Sequence, residues 1–299
     1  MKGDGMSHMN DISGERAFHI EHRFMPREIE LIYSGGITAE GIRALADYVE
    51  ASFSIYQPSK LTVAMRSPGG QVSALNFWVR KLTRWREQGI EVSTEADTIC
   101  ASAAALIVAL GALGHRSAHS LSRLLYHYAR FSARDITLLE HDAEDLARTL
   151  KHSRGWLHSM LRQHCVDGLG PWRFARTLHK RAAWLVEHTA ELKGFSSAAT
   201  TWRGKKELQF LQEWAAKRPD TGEEAESLIE QWVEQLDDLF HRDQFVELPV
   251  AWAMFLIDTT ETLPVIVEDE PMADPEIDQA AYAPCAAEGP SKALVHSNH

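Results

Sequence analysis

Apolar residues along this chain recur with two alternating periods. REIELIYSGGIT alternates apolar and polar positions from Ile29 to Ile32 and breaks at Gly35-Gly36, which predicts a strand and a turn. AEGIRALADYVEAS then sets Ile42, Leu45, Ala46 and Val49 at helical spacing. SKLTVAMRS returns to the shorter period, with Leu61, Val63 and Met65 on one side. Past Pro68-Gly69-Gly70 a second helix carries Val72, Leu75, Trp78, Val79 and Leu82. GIEVSTEA predicts a further strand, ASAAALIVALGALG an apolar helix of small residues, and SRLLYHYAR another strand. Strand and helix alternate in units of roughly 25 to 35 residues, the pattern of parallel βα crossovers, so the predicted class is α/β.

From about Ile136 the texture changes to long amphipathic helices, ITLLEHDAEDLARTLKHSRGWLHSMLRQH, closed by the break CVDGLGPW. A final helix pair is predicted at KKELQFLQEWAAK and EAESLIEQWVEQLDDLF. In the second, Ile229, Trp232, Val233, Leu236 and Phe240 form one stripe, which reads as packing. Beyond Pro264 the chain turns acidic and poor in apolar periodicity, the composition of a disordered tail. The expected organisation is a polar leader over 1–24, an α/β domain over 25–200, a helical extension over 201–265 and a tail over 266–299.

A chain of 299 residues with 44% apolar and 24% charged residues can bury a full core. Its formal charge of -11 argues against general nucleic-acid binding, which needs a basic face. The 3 cysteines, Cys100, Cys165 and Cys285, lie far apart with no CxxC pair, so neither a disulfide framework nor a zinc-thiolate site is expected. No stretch reads as a secretory signal or a membrane span, and a cytoplasmic setting is the simplest expectation.

Candidate chemistry gathers where strands end. Pro68-Gly69-Gly70 closes one strand, and bare backbone amides there could meet a negative atom at a helix start. Ser102 lies between a strand-like run and the apolar helix, where a serine presents its hydroxyl and the Ala103 amide faces a developing oxyanion. His127 ends a third strand. Taken singly, a small buried serine and a satisfied histidine have plainer structural explanations. Together they form a constellation, because parallel α/β sheets collect their sites at the carboxyl ends of strands.

RSPGG followed by CASAAALIVALGALGHRSAHSLSRLLYH resembles the Clp protease proteolytic subunit, with Gly111, Gly114, Arg116, Ser122 and Arg123 in step and without a gap. The similarity runs from about Arg27 to Phe195. It implies a fold of the ClpP/crotonase type, stacked βα units with a long amphipathic helix, here followed by an additional mostly helical C-terminal extension. It also implies a serine peptidase working through an acyl-enzyme, with Ser102 as nucleophile, His127 as general base, and the Gly70 and Ala103 amides as the oxyanion hole. A side chain at Gly70 would, on this reading, hinder the acyl substrate. The resemblance further implies a homo-oligomer of stacked rings, joined through the helix near Ile136 to His164 and enclosing a peptide or unfolded protein substrate. No cofactor is implied. The chain has no GxxxxGK[ST] loop, so ATP work would belong to a partner such as an AAA+ unfoldase, whose existence is left open.

Three positions depart from the family pattern. Thr98 replaces a glycine, Ala103 a methionine, and Ala182, in HKRAAWLVEHTAELKGFSS, the triad aspartate. Trp184 and Gly194 align around that gap, leaving Glu187, Glu191 or Asp167 as alternative acids. The alternative function is a catalytically impaired scaffold or interaction subunit, and a weaker third is an acyl-CoA enzyme of the crotonase type. His115 and His119 have i, i+4 spacing but no third metal ligand is apparent, and Cys100 reads as a buried thiol rather than a nucleophile.

Overall fold

The computed structural model describes residues 18–25, 27–130, 140–192, 202–242 and 244–267, all of which belong to one compact unit. The chain opens on an antiparallel pair, β1 (Phe18–Met25) and β2 (Glu28–Gly35), in register from Phe18↔Gly35 to Met25↔Glu28. Most of β1 falls in the segment expected to be a polar leader. Its alternation, with Phe18 and Ile20 half-buried against the core, is interleaved with His19, Glu21 and Arg23, which mask it in the sequence.

Helix α1 (Ala39–Tyr56) starts where the Thr38 hydroxyl accepts the Gly41 N–H at 3.0 Å, and it buries Ile42, Leu45, Ala46 and Val49, the four positions the helical spacing selects. Strand β3 (Lys60–Ser67) runs parallel to β2 and leads through the Pro-Gly-Gly turn into α2 (Val72–Glu87), which buries Leu75, Trp78, Leu82 and Trp85. Next come β4 (Ser93–Ala101), α3 (Ala103–Ala109), β5 (Arg116–Ala118) and β6 (Arg123–Tyr126). Every residue of α3 is buried, as its small apolar composition requires.

Strand β4 is the pivot. Its first half pairs with β5 (Thr94↔Arg116) and its second half with β6 (Ile99↔Arg123 to Ala101↔Leu125). Between the halves the register against β3 jumps from Met65↔Ala96 to Ser67↔Cys100, so β4 bulges at 97–99. Thr98, at the bulge, has φ of 55°, a left-handed conformation that explains why a glycine suits this place. The bulge redirects β4 toward a second neighbour and carries its end, Ala101, out to the edge where β6 lies.

Helix α4 (Glu140–Arg162) continues through a π turn (Gln163–Asp167) to α5 (Pro171–His188), followed by α6 (Trp202–Ala216) and α7 (Gly222–His241). Thr221 and Glu224 form a reciprocal capping box at the start of α7. The stripe on α7 is core: Ile229, Trp232, Leu236 and Phe240 are buried. The C-terminal region is not purely helical. Its β7 (Gln244–Val246) pairs antiparallel with β6, and, after α8 (Leu248–Ala253), β8 (Thr259–Thr260) pairs parallel with β5. The described residues therefore form a mixed α/β fold around a mixed sheet in the order β1-β2-β3-β4-β5-β8, with β6 and β7 branching from β4. The tail expected to be disordered lies outside the described residues, apart from its first two positions.

A buried ionic knot ties the C-terminal region to the sheet. Asp258 receives Arg116 Nε and Nη2 at 2.7 Å each, Arg181 Nη2 at 2.9 Å, and the Gly114 N–H at 2.8 Å, and all three charged side chains are fully buried. The Phe255 ring lies 4.8 Å from the Arg116 guanidinium carbon and 4.1 Å from that of Arg181. Among the described residues no helix is long and apolar enough to cross a membrane.

Candidate active site

The Pro68-Gly69-Gly70 turn is held by Ile37, which follows β2. Ile37 N–H donates to the Gly69 carbonyl at 2.8 Å and its own carbonyl accepts the Gln71 N–H at 2.9 Å. Gly69 has φ of 95°, and a Cβ there would lie 2.5 Å from the Ala101 carbonyl and 2.6 Å from Ser102 Cβ. The glycine turn thus packs directly on the Ser102 backbone. At Gly70 a Cβ would sit 2.2 Å from the Ile37 carbonyl oxygen. The backbone packing against Ile37 therefore demands glycine at this position by itself.

Ser102 occupies the corner between β4 and α3 with φ of 56° and ψ of -125°, a conformation that costs a non-glycine residue about 1–3 kcal/mol. It is a sharp strand-to-helix turn of the kind that lifts a nucleophilic hydroxyl clear of a sheet. The β4–β6 pairing holds it, since the Ser102 N–H donates to the Leu125 carbonyl at 2.7 Å. Among the described residues the Ser102 side chain caps nothing, and the N–H groups of Gly70 and Ala103 meet no acceptor.

The same pairing brings His127 alongside, because Ala101 lies opposite Leu125 and His127 stands just past the end of β6. The ring is half-buried, and its Nδ1 lies 2.6 Å from the Tyr128 carbonyl oxygen. A carbonyl only accepts, so Nδ1 carries the proton in this contact and Nε2 keeps its lone pair. Ser102 and His127 are not hydrogen-bonded to each other; such contacts are often long before a substrate is bound. The structure thus brings three strand ends, carrying Gly70, Ser102 with Ala103, and His127, to one edge.

Ala182, which the resemblance aligns with a triad aspartate, lies fully buried inside α5 rather than in a turn. The adjacent Arg181 binds Asp258, a carboxylate committed to two guanidiniums. Glu187, Glu191 and Asp167 are exposed and none is bonded to His127. Glu191 instead lines a cavity of about 570 Å³ with Arg123 and Ser122, at the amino end of β6 and so opposite to His127. The surroundings of His127 come from elsewhere. Tyr128 bonds through its hydroxyl to Asp237 on α7 and to His158 on α4, at 2.7 Å for His158 Nε2. Nothing in the sequence pattern points to Asp237, which belongs to the polar face of an ordinary amphipathic helix.

The remaining candidates have structural explanations. Cys100 is buried and its Sγ lies 2.7 Å from the Met65 carbonyl; burial pushes the thiol up to about 12, which makes it a poor nucleophile. His115 is in a loop, and His119 pairs with Glu261 at 3.1 Å. Among the described residues no group of His, Cys, Asp or Glu could hold a metal ion. No protein-family model matches the chain, and no curated protein matches it significantly.

Proposed function

We propose that the chain is a serine-type endopeptidase of the ClpP/crotonase type. Ser102 attacks the scissile carbonyl while Nε2 of His127 takes its proton, and the amides of Gly70 and Ala103 hold the oxyanion that forms. The imidazolium passes that proton to the amine nitrogen as the C–N bond breaks and the amine departs. The acyl-enzyme is then released by a water that the regenerated imidazole deprotonates, the proton returning to Ser102. Each oxyanion donor is worth about 10²- to 10³-fold in turnover. The observation that carries this reading is the corner at Ser102: a non-glycine residue at φ of 56°, with Gly69 packed on it and β6 bonded to its N–H. Strain of this kind persists where surrounding structure enforces it, and it clusters at functional sites.

A homo-oligomer is part of the proposal. The amino half of α4, over 142–152, is exposed or half-buried at every position although its sequence is amphipathic, as suits a helix that packs against another copy. Peptides or unfolded proteins are the proposed substrates, and an AAA+ unfoldase is the proposed class of partner.

The second reading, a silent scaffold with the same assembly surface, is favoured by Ala182 alone. A fluorophosphonate probe separates the two. Labelling of the full chain that vanishes in Ser102→Ala and collapses in His127→Gln supports the peptidase, whereas a folded wild-type protein that never labels at Ser102 supports the scaffold.

A further inference from the structure

Tyr128 is gripped on every side. Its N–H donates to the Phe240 carbonyl at 3.3 Å, and its ring packs edge-on to His241 at 4.9 Å and to Phe240 at 5.6 Å between centroids. The hydroxyl donates to Asp237 Oδ1 and, having a single proton, accepts from His158 Nε2. Asp237 is itself fixed by Arg154, with Nε at 2.9 Å and Nη2 at 2.5 Å, and the Arg154 guanidinium carbon lies 5.0 Å over the Tyr128 ring. The far end of this clamp is the Tyr128 carbonyl, the group that meets His127 Nδ1.

We propose that the Tyr128–Asp237 clamp is the positioning device for His127 in place of a triad carboxylate: helix α7 fixes Tyr128, and the Tyr128 carbonyl fixes the imidazole. The inference rests on reading His127 as the general base. Tyr128 and Asp237 touch no reacting atom, so they are positioning residues. A carbonyl selects the Nδ1–H tautomer as an aspartate does, but being neutral it stabilises the imidazolium less, so proton transfer is slower than in a full triad. The arrangement also gives the C-terminal region a task, because the device is incomplete without α7.

The titratable and charged groups facing the clamp are Tyr128, Arg154, His158, Asp237 and His241. The test is long-range ¹⁵N NMR of the histidine rings in the full chain, with the His127 signals assigned through His127→Gln. Wild-type His127 is expected as the Nδ1–H tautomer when neutral. Folded Asp237→Asn and Tyr128→Phe are expected to mix the tautomers, because the Tyr128 carbonyl is no longer held in place. Fluorophosphonate labelling should slow about 10-fold or more in both variants with probe affinity unchanged, since misorientation acts on the chemical step. Tyr128→Phe preserves the ring packing, so a folding failure of Asp237→Asn leaves the test intact. Variants that fold yet keep the wild-type tautomer overturn the proposal, even if Ser102 labels. Wild-type protein that does not label at Ser102 sinks the peptidase reading instead, while the NMR result still decides whether the clamp orients His127.

Discussion

Replacing Asp258 by asparagine should expose how much of this fold hangs on one carboxylate. Asp258 accepts from Arg116 Nε and Nη2, Arg181 Nη2 and the N–H groups of Gly114 and Arg116, at 2.7 to 3.2 Å, with no solvent contact at any of the three charged side chains. Asparagine keeps the shape and one acceptor oxygen, but it turns an NH₂ group toward a guanidinium and leaves two buried cations without a counter-charge. Breaking a buried ion pair from one side costs about 3–5 kcal/mol. That is a large share of the roughly 5–15 kcal/mol available to a whole domain. Urea unfolding followed by tryptophan fluorescence should show a midpoint lowered by about 1 M or more at an unchanged slope of about 3 kcal/mol/M.

Acid pH supplies the second arm of the same experiment. Burial alone would raise the Asp258 pKa, but Arg116 and then Arg181 outweigh it and hold the carboxyl well below the ordinary range. A depressed native pKa contributes stability that is complete above the unfolded-state value of about 3.9 and is lost as pH falls through it toward the folded value. The gap between wild type and Asp258→Asn should accordingly narrow as pH drops from about 5 to about 3. A folded variant within about 1 kcal/mol of wild type at neutral pH, or a gap that widens in acid, would refute the assignment of the knot as a principal tie.

Two further substitutions probe local strain. Thr98 is held at φ of 55°, and relief of about 1–2 kcal/mol less the backbone entropy of glycine should make Thr98→Gly more stable by up to about 1 kcal/mol, read as a higher urea midpoint. The Tyr126 hydroxyl is buried without a hydrogen-bond partner among the described residues, so Tyr126→Phe should leave the melting temperature unchanged or raise it; a loss above about 1 kcal/mol would mean that the hydroxyl is satisfied after all.

How far the sequence could be read depended on the range of the interaction. The helical spacing of Ile42, Leu45, Ala46 and Val49 selects the buried face of α1, and the α7 stripe is likewise core. Such patterns repeat within a few residues, so they survive in one dimension. The strand β1 was hidden because His19, Glu21 and Arg23 interrupt a face that is only half-buried. Strands β7 and β8, three residues and two residues long, are too short to carry a period.

The candidate site divides along the same line. Gly69-Gly70, Ser102 and His127 each lie at a predicted element boundary, and parallel βα order alone sends such boundaries to one edge of a sheet. Sequence by itself therefore determined the α/β class, though not the antiparallel pairs β1–β2 and β6–β7, together with the glycine turn, the serine corner and the histidine at a strand end, all features set by local periodicity and backbone sterics. Tertiary structure decided what they touch: Gly70 against Ile37, Asp258 between Arg116 and Arg181, and Asp237 behind Tyr128. Those contacts join residues far apart along the chain, and a pairing made only by the packing of whole elements leaves no repeating mark on either partner's neighbours.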